Sequence, residues 1–219
     1  MKNFFFIIVF MAINLLFVQC ETGLSNTNST IHYGQEYVDL GLSVKWATCN
    51  VGAKTPEQYG KYFAWGEVAA KDEYSWSSYK YHSTDFTKYN ATDKKTTLFP
   101  NDDAAFENWG GNWRMPTKIE LDELCKNCIW TWTTQNGVNG YKVTSKIKGY
   151  TDKSIFLPAA GGYTNVVTVD NIDVNGIYWS STLDDYYFSA ASTLAFDSDT
   201  VIVSVSNRHQ GFSVRPVCK

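Results

Sequence analysis

Arginine and histidine are scarce in this chain of 219 residues: Arg114, Arg208 and Arg215 are its only guanidinium groups, and His32, His82 and His209 lie far apart. With lysine spread thinly and a net charge of −3, the chain has little means of gripping phosphates or base edges, which excludes a nucleic-acid partner. The one local basic pair, Lys94-Lys95, reads as solvated loop. The scattered histidines and the lone Cys-x-x-Cys of Cys125 and Cys128 offer no paired ligand set, so no metal is expected. A Gly-rich phosphate loop, HExxH, GxSxG and a Ser/His/Asp arrangement are all missing. Neither catalytic residues nor a cofactor are therefore expected. Asn171 to Gly176 echoes the start of an EF-hand loop, but Thr182 stands where the bidentate Glu belongs, and Asn175-Gly176 reads as a tight turn.

Apolar runs long enough to span a bilayer are also missing. The longest, Phe4 to Val18, has fifteen residues broken only by Asn14, too short for a span and right for the apolar region of a signal peptide behind Lys2. It ends at Phe17-Val18-Gln19-Cys20, a loose bacterial lipobox in which Gln19 is atypical. The expected organisation is a lipoprotein signal peptide over residues 1–20 with Cys20 lipidated, a Ser/Thr/Asn-rich flexible tether over 21–34, and one domain over 35–219. The mature protein is then exported and meets the membrane only through its lipid anchor, at the outer membrane or cell surface. Cys49, Cys125, Cys128 and Cys218 remain, and in an exported chain they can pair as disulfides. For Cys125 and Cys128 buried thiols on a helix face are the preferred reading.

The last absence is local. Between Asp184 and His209 lie twenty-six residues without one Lys, Glu, Gln, Met or Trp, types that make up 40 of the 219 residues. The types present include Tyr, Ser and Asn, which suit adaptable binding surfaces; β-propensity by itself also depletes Lys and Glu. Leu194, Phe196, Val201 and Val203 recur at period two and should face a core, leaving Ala195, Asp197, Ile202 and Ser204 outward. Asp184, Asp185, Tyr186 and Tyr187 precede these strands, and Ser206, Asn207, Arg208 and His209 follow them, as rim loops. The ligand-contacting set expected is Asp184, Asp185, Tyr186, Tyr187, Ala195, Asp197, Asp199, Thr200, Ile202, Ser204, Ser206, Asn207 and His209.

Elsewhere the pattern is α+β. Short strands are expected at 37–40 and 42–47, parted at Gly41, and a helical turn at Pro56 with Thr55 as N-cap. Residues 66–100 show little period and read as a long surface insertion. Thr117 and Glu120 form a capping-box pattern, followed by a mostly helical apolar stripe of Ile119, Leu121, Leu124, Cys125 and Cys128. Strands follow at 140–147, 154–158, 177–181, 192–196, 200–205 and 212–217. Trp46, Trp113, Trp179 and Arg215 should fix the frame.

Five separated segments carry a resemblance: Tyr37-Val38-Asp39-Leu40-Gly41-Leu42-Ser43-Val44-Lys45-Trp46-Ala47-Thr48, Asn108-Trp109-Gly110-Gly111-Asn112-Trp113-Arg114-Met115-Pro116-Thr117, Phe156-Leu157-Pro158-Ala159-Ala160-Gly161, Tyr178-Trp179-Ser180-Ser181 and Ser213-Val214-Arg215-Pro216-Val217. Over residues 35–218 the chain resembles the exported Bacteroidetes proteins grouped as the Fibrobacter succinogenes major paralogous domain. That resemblance implies a C-type-lectin-like, formylglycine-generating-enzyme-like fold of few short helices and many short, mostly antiparallel strands. Some members are variable proteins of diversity-generating retroelements, in which adenine-directed mutagenesis rewrites codons between a Tyr-Trp-Ser-Ser-Thr segment and a terminal Arg-Pro-Val. From a templated Asn codon that process cannot produce Lys, Glu, Gln, Met or Trp, which are the types missing from 184–209. The resemblance thus implies a ligand-binding protein that meets an extracellular protein or glycan. A structural or adhesion component of the envelope is the alternative, and a degenerate formylglycine-type enzyme a further one that lacks its reactive cysteine pair.

Overall fold

The computed structural model of the protein describes residues 29–82 and 86–219. The signal peptide and Cys20 lie outside the described residues. The fold is mostly β with two short helices, in keeping with the expected α+β class. In chain order the strands are β1 (Ser29–His32), β2 (Gln35–Val38), β3 (Lys45–Ala47), β4 (Tyr62–Phe63), β5 (Cys128–Gln135), β6 (Val138–Ser145), β7 (Ser154–Pro158), β8 (Gly176–Leu183), β9 (Ala190–Phe196), β10 (Val201–Asn207), β11 (Phe212–Ser213) and β12 (Val217–Cys218). The helices α1 (Ala104–Trp109) and α2 (Lys118–Asn127) stand between β4 and β5.

Three sheets form among the described residues, ordered β1-β2-β3-β12, β10-β9-β8-β11-β4 and β5-β6-β7. The segment from Phe212 to Cys218 ties the first two together. Ser213 pairs with Tyr178 in one sheet, and Val217 pairs with Trp46 in the other. The five-stranded sheet is covered on both faces. Successive strand residues point to opposite faces, so Tyr178 joins a cluster with Trp46, Leu121, Leu157, Leu194 and Phe196, while Trp179 joins another with Trp65, Tyr79, Tyr89 and Phe212. That alternation is the structural meaning of the Tyr-Trp dipeptide.

The polar tips of most of these large rings are satisfied, as burial demands, Trp46 Nε1 being without a partner among the described residues. Trp179 donates Nε1–H to the Phe63 carbonyl at 2.7 Å, Trp65 to the Ser180 carbonyl at 2.8 Å, and Tyr178 its hydroxyl to the Pro158 carbonyl at 2.6 Å. Trp113, fully buried, donates to the His32 carbonyl at 2.9 Å. Arg215 is buried as well. Its guanidinium reaches Asn50 Oδ1 at 2.8 Å and the carbonyls of Ala47 and Thr48 at 3.1 and 2.8 Å, and burial pulls its pKa below the usual value. The four expected frame residues, Trp46 included, are all interior.

The capping box at α2 is present in full, with Thr117 Oγ1 accepting from Glu120 N–H and Glu120 accepting from Thr117 N–H. Leu121 and Leu124 are buried as the stripe requires, whereas Ile119 is 78 % exposed and Cys128 already begins β5. The four cysteines after Cys20 are free thiols.

Several expectations are corrected. The tether does not run to residue 34: β1 pairs along its length with β2, so Ser29–His32 belong to the fold. Pro56 lies in a turn closed by Gln58 N–H on the Thr55 carbonyl, without a helix. The described residues of the stretch 66–100 are not all surface. Tyr74, Tyr79, Tyr81, Tyr89 and Leu98 are buried and build much of the cluster around Trp179. It lacks period because side-chain hydroxyls, rather than a ladder or helix, hold it: Tyr74 donates to the Tyr62 carbonyl at 2.6 Å and Tyr79 to the Trp65 carbonyl at 2.7 Å. Tyr81 and Tyr89 both donate to buried Asp102, which Lys88 also meets. Burial alone would raise the Asp102 pKa, but those hydrogen bonds hold it below the usual carboxylate value.

Candidate functional site

The segment 184–209 forms the loop after β8, all of β9, a tight hairpin turn, and all of β10, which is an edge strand. In the first loop Asp184 is half-buried, and its Oδ1 accepts from the N–H groups of Tyr186 and Tyr187 at 3.1 and 2.8 Å. Ala190 N–H closes the loop on the Tyr187 carbonyl at 2.8 Å. This leaves Asp185 exposed and drives both rings into solvent, Tyr186 at 86 % and Tyr187 at 66 % exposure. The hairpin turn repeats the device, with Asp197 Oδ1 accepting from Asp199 and Thr200 N–H at 2.9 and 2.8 Å. Asp184 and Asp197 are therefore turn-makers through their Oδ1 atoms, and Asp185 and Asp199 are the more exposed carboxylates.

Along the strands the expected split holds in part. Leu194 and Phe196 are buried, and Val201 and Val203 pack against the same cluster. Ile202 is 52 % exposed and pairs with half-buried Ala195. They line a small cleft of about 130 Å³ with Ile177 and Thr200. Ser204 and Ser206 are half-buried, opposite Thr193 and Ala191. At the loop end a groove of about 380 Å³ is lined by Tyr187, Ser189, Val205, Ser206, Asn207 and Gln210. The expected residues thus gather at the two ends of β10, joined by the stripe Ile202, Ser204 and Ser206.

Two residues of the second rim loop are corrected. Arg208 is fully buried. Its Nε–H donates to Tyr79 Oη at 2.8 Å, and its terminal nitrogens donate to the carbonyls of Tyr89, Phe188 and Lys88 at 2.9–3.1 Å. The guanidinium lies 4.9 Å from the Trp65 ring and 4.8 Å from that of Phe86. Among the described residues it meets no carboxylate; carbonyl dipoles and ring faces carry its charge. His209 is half-buried with its ring 4.2 Å from Trp76. Burial first, then Lys71 and His82, pushes its pKa below the usual value. It packs against this aromatic cap while remaining partly open to solvent. Sequence periodicity gives no sign of either role, although the aromatic richness of 74–89 marks where a cation could lie.

No group of His, Cys, Asp and Glu able to hold a metal occurs among the described residues. Cys125 and Cys128 have their thiols pushed up to about 11 by burial, which keeps both protonated. A cavity of about 410 Å³ lined by Leu98, Phe106, Trp113 and Arg114 includes none of the segment's residues. No described helix is long and apolar enough to cross a membrane. No family model, no curated protein and no solved structure matches the chain.

Proposed function

We propose that this chain is an exported, lipid-anchored ligand-binding protein with a C-type-lectin-like domain. Its segment 184–209 is a diversifiable surface of the retroelement variable-protein kind, and it performs no catalysis. One observation carries the reading. The stretch with the restricted residue types holds a loop with two solvent-facing tyrosines and an exposed edge strand, while the segments on either side of it are interior. Exposed Tyr186 and Tyr187 offer large, stiff contact area at low entropic cost, and anchors of that kind dominate interfaces. The ligand is a protein or glycan met outside the cell, and Cys20 carries the acyl chains that hold the domain at the outer membrane or cell surface.

The test is to read the DNA flanking the coding sequence for a reverse transcriptase and a near-copy of the 3′ segment, and to compare sister chains. Differences confined to Asp185, Tyr186, Tyr187, Asp199, Thr200, Ile202, Ser204, Ser206 and Asn207 support the reading. Invariance of those positions among sister chains, or variation spread equally over Trp179 and Arg215, defeats it. Fatty-acid labelling that is lost in Cys20→Ala checks the anchor separately.

A further inference from the structure

We infer that the outer edge of β10 takes up an extended polypeptide strand with basic ends, so that the partner is a protein segment bound by strand addition. The phase of the β9–β10 ladder points there. Asp197 N–H donates to the Thr200 carbonyl at 3.0 Å and Arg208 N–H to the Ser189 carbonyl at 2.9 Å, one pair at each end of the hairpin. In an antiparallel ladder alternate pairs exchange both bonds. With Val203 opposite Leu194, that phase turns the main chain of Ile202, Ser204 and Ser206 toward β9. Val201, Val203 and Val205 then present their N–H and C=O groups outward. Among the described residues no backbone or side-chain group bonds to these.

An open edge of seven residues is normally blunted by lysine, proline or a covering element. Here β10 reads Val-Ile-Val-Ser-Val-Ser-Asn, without lysine or proline, and α2 packs against it through the cluster that Leu121 and Leu124 share with Val201 and Val203. Ile202 and Val205 stand exposed beside it, and the groove next to Tyr187 and the cleft next to Ala195 give room for a partner's side chains. Main-chain bonds would supply an affinity indifferent to which side chains the segment carries, and the side chains would then choose among strands.

Charge selects the occupant. The edge itself is neutral, but Asp184 and Asp185 lie beyond one end and Asp197 and Asp199 beyond the other, with Arg208 buried and no lysine in the segment. A second copy pairing antiparallel about the strand's centre would set the hairpin turn of each chain against the acidic loop of the other. A partner strand with an uncharged middle and lysine or arginine at both ends meets the opposite sign at each end instead.

This inference rests on 184–209 being the ligand surface, but its test is independent of diversification. The probe is a fluorescent peptide of alternating threonine and valine with lysine at both ends, together with a twin N-methylated at alternate amides, titrated against the full chain. Binding to the wild type is expected, with the amides of Val201, Val203 and Val205 slowed in hydrogen exchange. A loss of about tenfold or more is expected for the methylated twin and for Val205→Pro, the loss of one well-made hydrogen-bond set. Proline at that outward-facing position leaves the bonds to β9 intact. Glutamate-ended peptide should bind more weakly than the lysine-ended one at low salt. Absence of binding, equal binding of the methylated twin, or a concentration-dependent dimer dissolved by Val205→Pro would each overturn the inference. Sister-chain sequences decide the diversification question whatever the peptide does.

Discussion

Strands β9 and β10 are neighbours paired residue by residue and drawn from the same restricted range of residue types, yet they occupy opposite conditions. β9 is interior on both faces, with only Ala195 half-open, and β8 flanks its other side. β10 alternates between half-buried and exposed and has a bare edge. A shared composition therefore does not make a shared role. The loop at 184–189, the hairpin turn and β10 are the more open part of the segment, and β9 lies in the interior.

The comparison can be broken most decisively at the end of β10. Arg208→Ala should cost about 3–5 kcal/mol in denaturant unfolding, because it strips buried partners from Tyr79 Oη and three carbonyls. Arg208→Lys should rescue little of it, since one ammonium cannot span those acceptors. A near-neutral Arg208→Ala would move that residue back to the rim.

Leu194→Ala against Ile202→Ala tests the two strands directly. The first should cost about 2–5 kcal/mol and the second under about 1 kcal/mol, because only the first opens a cavity in the core. Equal costs would make β10 ordinary core sheet.

Acid should separate the strands more gently. His209 has a folded-state pKa below its ordinary value of 6.5, so the folded chain binds fewer protons than the unfolded one in that window. Its contribution is complete above about 6.5 and is lost as pH falls through the folded value. Hydrogen-exchange protection, corrected for the intrinsic slowing of amide exchange in acid, should therefore fall at Ser206 and Asn207 on acidification while β9, which has no titratable side chain, keeps its protection. His209→Gln should flatten that response.

The smallest stability effect belongs to the two solvent-facing rings of the first loop. Tyr186→Ala and Tyr187→Ala should each stay within about 0.5 kcal/mol of the parent, as exposed substitutions do. The chemical-denaturation midpoint checks this, and a large loss would put the loop into the frame.

Legibility in the sequence followed the physics of one-sided elements. The capping box at Thr117 and Glu120, the run Ser154 to Pro158 and the large frame side chains could be read directly, because each makes a local or strongly apolar signal. Period two reports a strand with one dry face, so it placed Leu194 and Phe196 but passed over Ser192 and Thr193, buried on opposite faces of β9. The start of β5 was hidden because the helical stripe of α2 runs on to Cys128. Tyr74, Tyr79, Tyr81 and Tyr89 read as surface because their hydroxyls and Asp102 make a polar sequence, although these four rings are buried. Arg208 was misplaced for a like reason: nothing local announces that carbonyls more than a hundred residues upstream will receive it.

The threading of Phe212–Cys218 across two sheets has a bearing on synthesis. β3 cannot complete its sheet until β12 arrives, and β12 is made only after every residue of 184–209. A stop codon or a shifted reading frame anywhere in that segment therefore deletes both β11 and β12, leaving Trp46 and Tyr178 without their closing partners. Domain closure thus waits on the finished segment: a chain truncated or frame-shifted within it lacks both closing strands.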